Sequence, residues 1–284
     1  MLQADDLSFA YPGCAEVIRG VSLSLAKGRR IALVGENGSG KTTLARLLTG
    51  LLEPTDGAVR VDGLDTRDAA TIYEVRRRVG LVFQDPDDQM VETTVEREVA
   101  FGPRNLGLRL DEVARRVAEV LAAFSIQHLA KRPCHLLSAG EKQTVAVAAV
   151  AAMQPEYLVL DESTSLLDGE ARGGLLAAIE CLIRETGAGL VFISMRLEDV
   201  WTCDEVALLE GGTIAFRGSR GDFLKHLKAL GFPLSGMGLL ASKLDDAIPG
   251  FLGALAARTS LASDSVAEVL AGLARARGGR AACP

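Results

Sequence analysis

Four near-continuous apolar runs punctuate the chain: RIALVG at 30–35, GLVFQ at 80–84, YLVLDE at 157–162 and LVFIS at 190–194. Each holds three or four apolar residues bounded by glycine or polar residues, the mark of parallel strands buried on both faces. Alternation is confined to VSLSLA, with Val21, Leu23 and Leu25 on one face, and to AVRVDG at 58–63, which predict an antiparallel edge sheet. Between the runs the period changes to that of a helix. In LDEVARRVAEVLAAF, Val113, Val117, Val120, Leu121 and Phe124 share a stripe, with Asp111 as the expected cap. The result is an α/β core.

The pattern also divides the chain. Residues 85–154 read as mostly helix and loop between two core strands, an inserted helical subdomain. Residues 1–221 form the main unit, and 222–284 a C-terminal helical extension. In the extension Val266, Val269, Leu270 and Leu273 share one face, with Ser265 and Glu268 at capping-box spacing. Its basic end, ARARGGRAACP, reads as disordered.

Composition removes several classes of function. No apolar run approaches the ~20 residues of a membrane-spanning helix, VAVAAVAAM at 145–153 included, and the N-terminus carries no secretory pattern. An intracellular chain is expected. A net charge of −6 without a basic stripe argues against nucleic acid as the main partner. The five cysteines are scattered with no CxxC pair, which points to core filling or ordinary surface placement.

Candidate chemistry sits at strand ends. GENGSGKTT at 35–43 fits G-x-x-x-x-G-K-[ST] through Gly35, Gly40, Lys41 and Thr42, and it follows a strand and opens a helical pattern. Such a loop, with Asn37, Gly38, Ser39 and Thr43 completing it, turns backbone N–H groups toward phosphate oxygens at a helix N-terminus. Lys41 is expected to reach the β- and γ-phosphates of ATP and Thr42 to hold Mg²⁺. Asp161, ending an apolar strand, is the expected second Mg²⁺ ligand, and the adjacent Glu162 the general base toward water.

The block HLLSAGEKQTVAVAAVAAMQPEYLVLDESTSLLD resembles the stretch of ABC-type ATPases that runs from the signature to the D-loop, with Leu137–Glu141 as the signature. LVFQDPDDQMVETTVEREVAFGPRNLGL and the tail from FLKHLKALGF resemble the ATPases of energy-coupling factor (ECF) transporters, which take up cobalt or nickel and vitamins. The resemblance implies a P-loop ABC nucleotide-binding domain. It makes Tyr11 the aromatic stacked on adenine and Gln84 the residue touching Mg²⁺ and the attacking water. Ser138 and Gly140 then bind the γ-phosphate of the nucleotide held by a partner subunit, and Asp168 is the D-loop aspartate. Ala139, Thr144 and Ser163 depart from the family pattern.

Met195 is the consequential departure. It stands where the family carries a histidine that donates to the γ-phosphate, and a thioether cannot donate. The expected function is that of an ATP-hydrolysing, energising subunit of an ECF importer whose own site is slow. It would sit peripherally on the cytoplasmic face of the cell membrane, paired with a paralogous ATPase in preference to itself. Its membrane partners would be a transmembrane coupling subunit and a substrate-binding subunit, contacted through residues 84–107, with Arg97 and Glu98 among the contacts. The alternatives are the ATPase of a conventional ABC importer, a soluble ABC ATPase and a purely regulatory nucleotide-binding module, which would not need Glu162.

Overall fold

The computed structural model describes residues 1–165, 167–194, 200 and 202–229, so Met195 and the extension from residue 230 lie outside the described residues. The chain builds two sheets. β1 (Leu2–Ala10), β2 (Glu16–Leu25), β4 (Asp56–Val61) and β5 (Leu64–Asp65) form an antiparallel sheet in the order β2-β1-β4-β5. The second sheet orders β10-β9-β3-β8-β7-β6, from β3 (Arg30–Gly35), β6 (Val79–Val82), β7 (Tyr157–Asp161), β8 (Gly189–Ile193), β9 (Glu205–Glu210) and β10 (Thr213–Ser219). Five of its strands are parallel, and β10 closes one edge as an antiparallel hairpin with β9.

The apolar runs have the physical cause that their pattern implies. Successive residues of one strand enter different cores. Ala32 and Val34 of β3, Leu158 and Leu160 of β7, and Leu190 and Phe192 of β8 face one core. Ile31 and Leu33, Tyr157 and Val159, and Val191 and Ile193 face the other. The first core is filled by α3 (Val95–Asn105), α4 (Leu110–Ala123), α5 (Ala139–Ala151) and α6 (Gly169–Thr186). The second holds α1 (Lys41–Leu48), through Leu44, Leu47 and Leu48, against the antiparallel sheet. Burial on both faces leaves no room for polar alternation in the parallel strands.

Residues 85–154 carry α3, α4, α5 and three 3₁₀ turns, with no strand among the described residues, preceded by α2 (Ile72–Arg78) and β6. The run VAVAAVAAM supplies, through Ala151, the buried half of α5, and no described helix is long and apolar enough to cross a membrane. One expectation needs correction. Asp111 does not cap α4: the cap is Arg109, and Asp111 lies inside the first turn, bonded to the Arg109 guanidinium at 3.1 Å, where its charge favours the helix dipole. The boundary at residue 221 falls inside α7 (Arg220–Ala229), whose Phe223, Leu224 and Leu227 are buried in the first core, so this helix packs on the main unit.

β8 is central, paired on one side with β3 and on the other with β7. Phe192→Ala removes a ring that is 1% exposed and is expected to cost ~3–5 kcal/mol. Chemical denaturation of the nucleotide-free chain measures it, and a loss below ~1 kcal/mol would contradict the packing described.

Candidate functional site

The parallel register brings β3, β7 and β6 to one edge with their C-terminal ends together, and that edge carries the loop 36–40, Asp161–Glu162 and Gln84. β3 ends at Gly35, where an added Cβ would lie 2.3 Å from the Leu209 carbonyl oxygen of β9. The loop turns into α1 at Gly40, with φ at 104°, a conformation that strains any residue with a Cβ. α1 begins at Lys41 with no acidic residue in its first turn and no side-chain cap. Its first-turn N–H groups therefore lack intrahelical partners and carry the positive end of the helix dipole. Asn37, Gly38, Gly40, Lys41, Thr42 and Thr43 line a cleft together with Val17, Gln84 and Glu162. Tyr11 stands beside the loop, half-buried and edge-on to Phe9, its hydroxyl 3.2 Å from Thr43 Oγ1.

Lys41 and Glu162 share this cleft, and Asp161 lines an adjoining hollow that also includes Thr42 and Gln84. The Lys41 ammonium, only 5% exposed, donates to the carbonyls of Gly35 at 3.0 Å and Glu36 at 2.9 Å, and lies 3.9 Å from Glu162 Oε1. Burial lowers its pKa, against the opposing pull of Glu162, Asp161 and Glu36. Burial likewise raises Asp161, against a hydrogen bond with Thr42 and the Lys41 charge. It raises Glu162 too, with Lys41 opposing and Asp161 adding to the shift. Glu162 sits at φ 46°, its backbone N–H bonded to the Ile193 carbonyl at 3.0 Å, so the left-handed turn swings its side chain off the strand axis. Gln84 Nε2 donates to Glu162 Oε2 at 3.1 Å.

The donor set fits a hard cation bound together with phosphate. Asp161 Oδ1 is buried without a hydrogen-bond partner, next to the Thr42 hydroxyl, and Ser39 Oγ in the loop is also buried without one. One carboxylate and one hydroxyl suit Mg²⁺, which takes most of its remaining ligands from phosphate and water. No group of three or more acidic, histidine or cysteine ligands occurs among the described residues, so an all-protein metal cage is absent there.

Ser138 and Gly140 do not line this cleft. They begin α5, where Ser138 Oγ accepts from Glu141 N at 3.3 Å and Glu141 Oε2 accepts from Ser138 N at 2.7 Å, a complete capping box. The serine hydroxyl accepts within the cap and keeps its proton to donate elsewhere. Thr144 turns inward to the Gly140 carbonyl at 3.0 Å. Asp168 caps α6 by accepting from Ala171 N at 2.9 Å.

Motif reading missed the ties between the segment 83–89 and α5. Phe83 N donates to Gln89 Oε1 at 3.1 Å, and Gln89 Nε2 donates to the Ala146 carbonyl at 3.1 Å. Lys142 Nζ meets Asp87 at 2.6 Å. One glutamine and one opposite-charge pair, whose partners lie far apart in the chain, give no local signal. Glu98 is a further correction: expected among exposed contacts, it is 3% exposed and accepts from Val91 N and Glu92 N, pinning the segment before α3.

The chain is similar to known proteins. The family model described as ABC transporter matches residues 18–165. The chain is 42% identical over 240 residues to a cobalt import ATP-binding protein CbiO from Syntrophus aciditrophicus, covering 82% of this chain and 85% of that one. It is 44% identical over 224 residues to the energy-coupling factor transporter ATP-binding protein EcfA1 of Symbiobacterium thermophilum, covering 76% and 78%. Among solved structures it resembles CbiO1 from Clostridium perfringens, described as part of the ABC transporter complex cbiONQ, with TM-score 0.73 and 28% identity over 90% of this chain and 98% of that one.

The raised pKa of Glu162 sets a stability test. With the folded value above the unfolded one, near 4.3, its contribution is most favourable below the unfolded value and is lost as pH rises through the folded one. Glu162→Gln is therefore expected to raise the melting temperature of the nucleotide-free chain at pH 7, with the advantage shrinking toward pH 4. An unchanged or lower melting temperature at pH 7 would show that the carboxylate is not penalised by burial.

Proposed function

The chain belongs to the ABC transporter ATP-binding family, and from that membership we propose that it is the ATP-hydrolysing, energising subunit of an ECF importer. The observation that carries the reading is the placement of Lys41, Glu162 and Gln84 in one cleft at the mouth of a phosphate-binding loop, with Asp161 lining the adjoining hollow beside Thr42 and Gln84. The loop N–H groups and Lys41 bind and orient the β- and γ-phosphates of ATP, and Tyr11 stacks on the adenine. Thr42, Asp161 and Gln84 hold Mg²⁺, which when bound neutralises phosphate charge. Glu162 takes the proton of the attacking water; its raised pKa suits a group that accepts a proton and later returns it. Gln84 fixes the orientation of that carboxylate through the 3.1 Å bond.

Ser138 and Gly140, at the start of α5, serve in this reading the nucleotide of a second ATPase, so that a complete site needs two subunits. The membrane partners dock on residues 84–107. There Val91 at 64% and Phe101 at 40% exposure offer apolar contact, and Arg97, paired with Glu92, offers charge. The subunit lies peripherally on the cytoplasmic face of the membrane. Cobalt, nickel or a vitamin is the cargo class, selected by the substrate-binding membrane subunit. Met195 belongs to the site built on this chain's own loop, so a homodimer would lose the histidine donor twice, whereas a heterodimer with a paralogous ATPase keeps one complete site and one slow site.

Two experiments test this. Lys41→Ala removes charge-assisted bonds worth ~1.5–3 kcal/mol, so Mg-ATP affinity in a nucleotide titration should fall about 10- to 100-fold; unchanged affinity sinks the assignment. In the complex isolated with its partner ATPase, Met195→His should speed single turnover at this chain's own site, by up to the ~10²-fold that one transition-state donor contributes. No change, together with a Glu162→Gln loss as complete as the equivalent change in the partner, overturns the slow-site reading.

A further inference from the structure

Glu141 stands at the third position of α5, the end that the proposed function turns toward the partner's nucleotide. Its Oε2 completes the capping box by accepting from Ser138 N, a task that glutamine performs equally well. The negative charge is thus superfluous to the cap, and it sits one residue from Gly140, where a like-charged triphosphate is to bind. The carboxylate is ionised: the bond from Ser138 N and the nearby Arg132 hold it below the usual range.

Arg132 answers that charge. Its Nη1 donates to Glu141 Oε1 at 2.9 Å, and its Nη2 donates to the Leu136 carbonyl at 3.1 Å. The guanidinium thus spans the loop that leads into α5. Its own backbone is anchored, since the Arg132 carbonyl accepts from Val95 N at 3.2 Å and its N–H donates to Leu129 at 2.8 Å. The arginine is 45% exposed and the glutamate 30%, so the pair works at a surface, where its worth as a stabiliser is small. Its larger effect is on the field at the end of α5.

We propose that Arg132 is a positioning residue of the signature end of α5: it neutralises Glu141, so that Ser138 and the helix N-terminus meet a γ-phosphate without a net negative charge beside it. This rests on the reading that Ser138 and Gly140 bind the nucleotide of the partner subunit. Arg132 touches no phosphate itself and acts through Glu141.

The test uses the complex assembled with its partner ATPase and membrane subunits, with steady-state ATP turnover measured against ATP concentration. Arg132→Ala is expected to raise KM for ATP roughly tenfold, the scale of one uncompensated charge near a protein surface, with a smaller effect on kcat and a partial recovery in high salt. Arg132→Lys, which keeps the charge but not the fork, should stay within about threefold of the parent, a shift far smaller than one charge at this range produces. The double variant Arg132→Ala with Glu141→Gln should return KM to the parent value. If the double variant is as impaired as Arg132→Ala alone, or if Arg132→Ala leaves KM unchanged, the charge role is overturned and the arginine only braces the loop. Ser138→Ala separates the underlying reading: unchanged turnover there means that α5 meets no nucleotide, and both ideas fall together.

Discussion

Everything at the functional edge depends on keeping three charges, Lys41, Asp161 and Glu162, at the end of a sheet that is apolar on both faces. Burial lowers the lysine and raises both carboxylates, so the nucleotide-free cleft carries charges at a cost. Their mutual attraction offsets part of it, and hydrogen bonds from Lys41 to two loop carbonyls offset more. Phosphate and a divalent cation would relieve both strains together: phosphate charge meets Lys41 and the α1 N-terminus, while the cation meets Asp161. The cleft is unfavourable in isolation for the same reason that it suits Mg-ATP.

Rigid surroundings make this tolerable. β7, which delivers Asp161 and Glu162, is buried along its whole length between β6 and β8. The backbone turns at Glu162 into the left-handed region, at the ~1–3 kcal/mol typical of such strain. The bond from Glu162 N to Ile193 holds it there. Gln84 then reaches across to the same carboxylate from the neighbouring strand, so two strand ends and one loop converge without any long, freely rotating arm.

The helix α5 is tied to the strand end beside this cleft. Its apolar half is buried against the sheet, and its polar half is tied to the segment after Gln84 through Gln89 and the Lys142–Asp87 pair. Such ties are a physical route by which occupancy of one site alters what the chain offers to the next.

Much of this was determined by the sequence alone. Parallel strands buried on both faces can only be written as unbroken apolar runs, and a backbone cradle for phosphate needs glycines followed by Lys41 at a helix start. The capping box of Ser138 and Glu141 is local as well, spaced by the helical turn. The tertiary structure decided what depends on distance through space. It set the approach of Gln84 to Glu162 across 78 positions, the burial of Glu98 that turned an expected contact into a pin, and the displacement of the α4 cap from Asp111 to Arg109. It also set the pairing of Arg132 with Glu141 and the separation of Ser138 from the loop. Local sequence encodes period, turn and cap because these involve neighbours within a few residues. Charge compensation and site assembly involve partners brought together only when both cores close around the sheet, and no spacing along the chain records them.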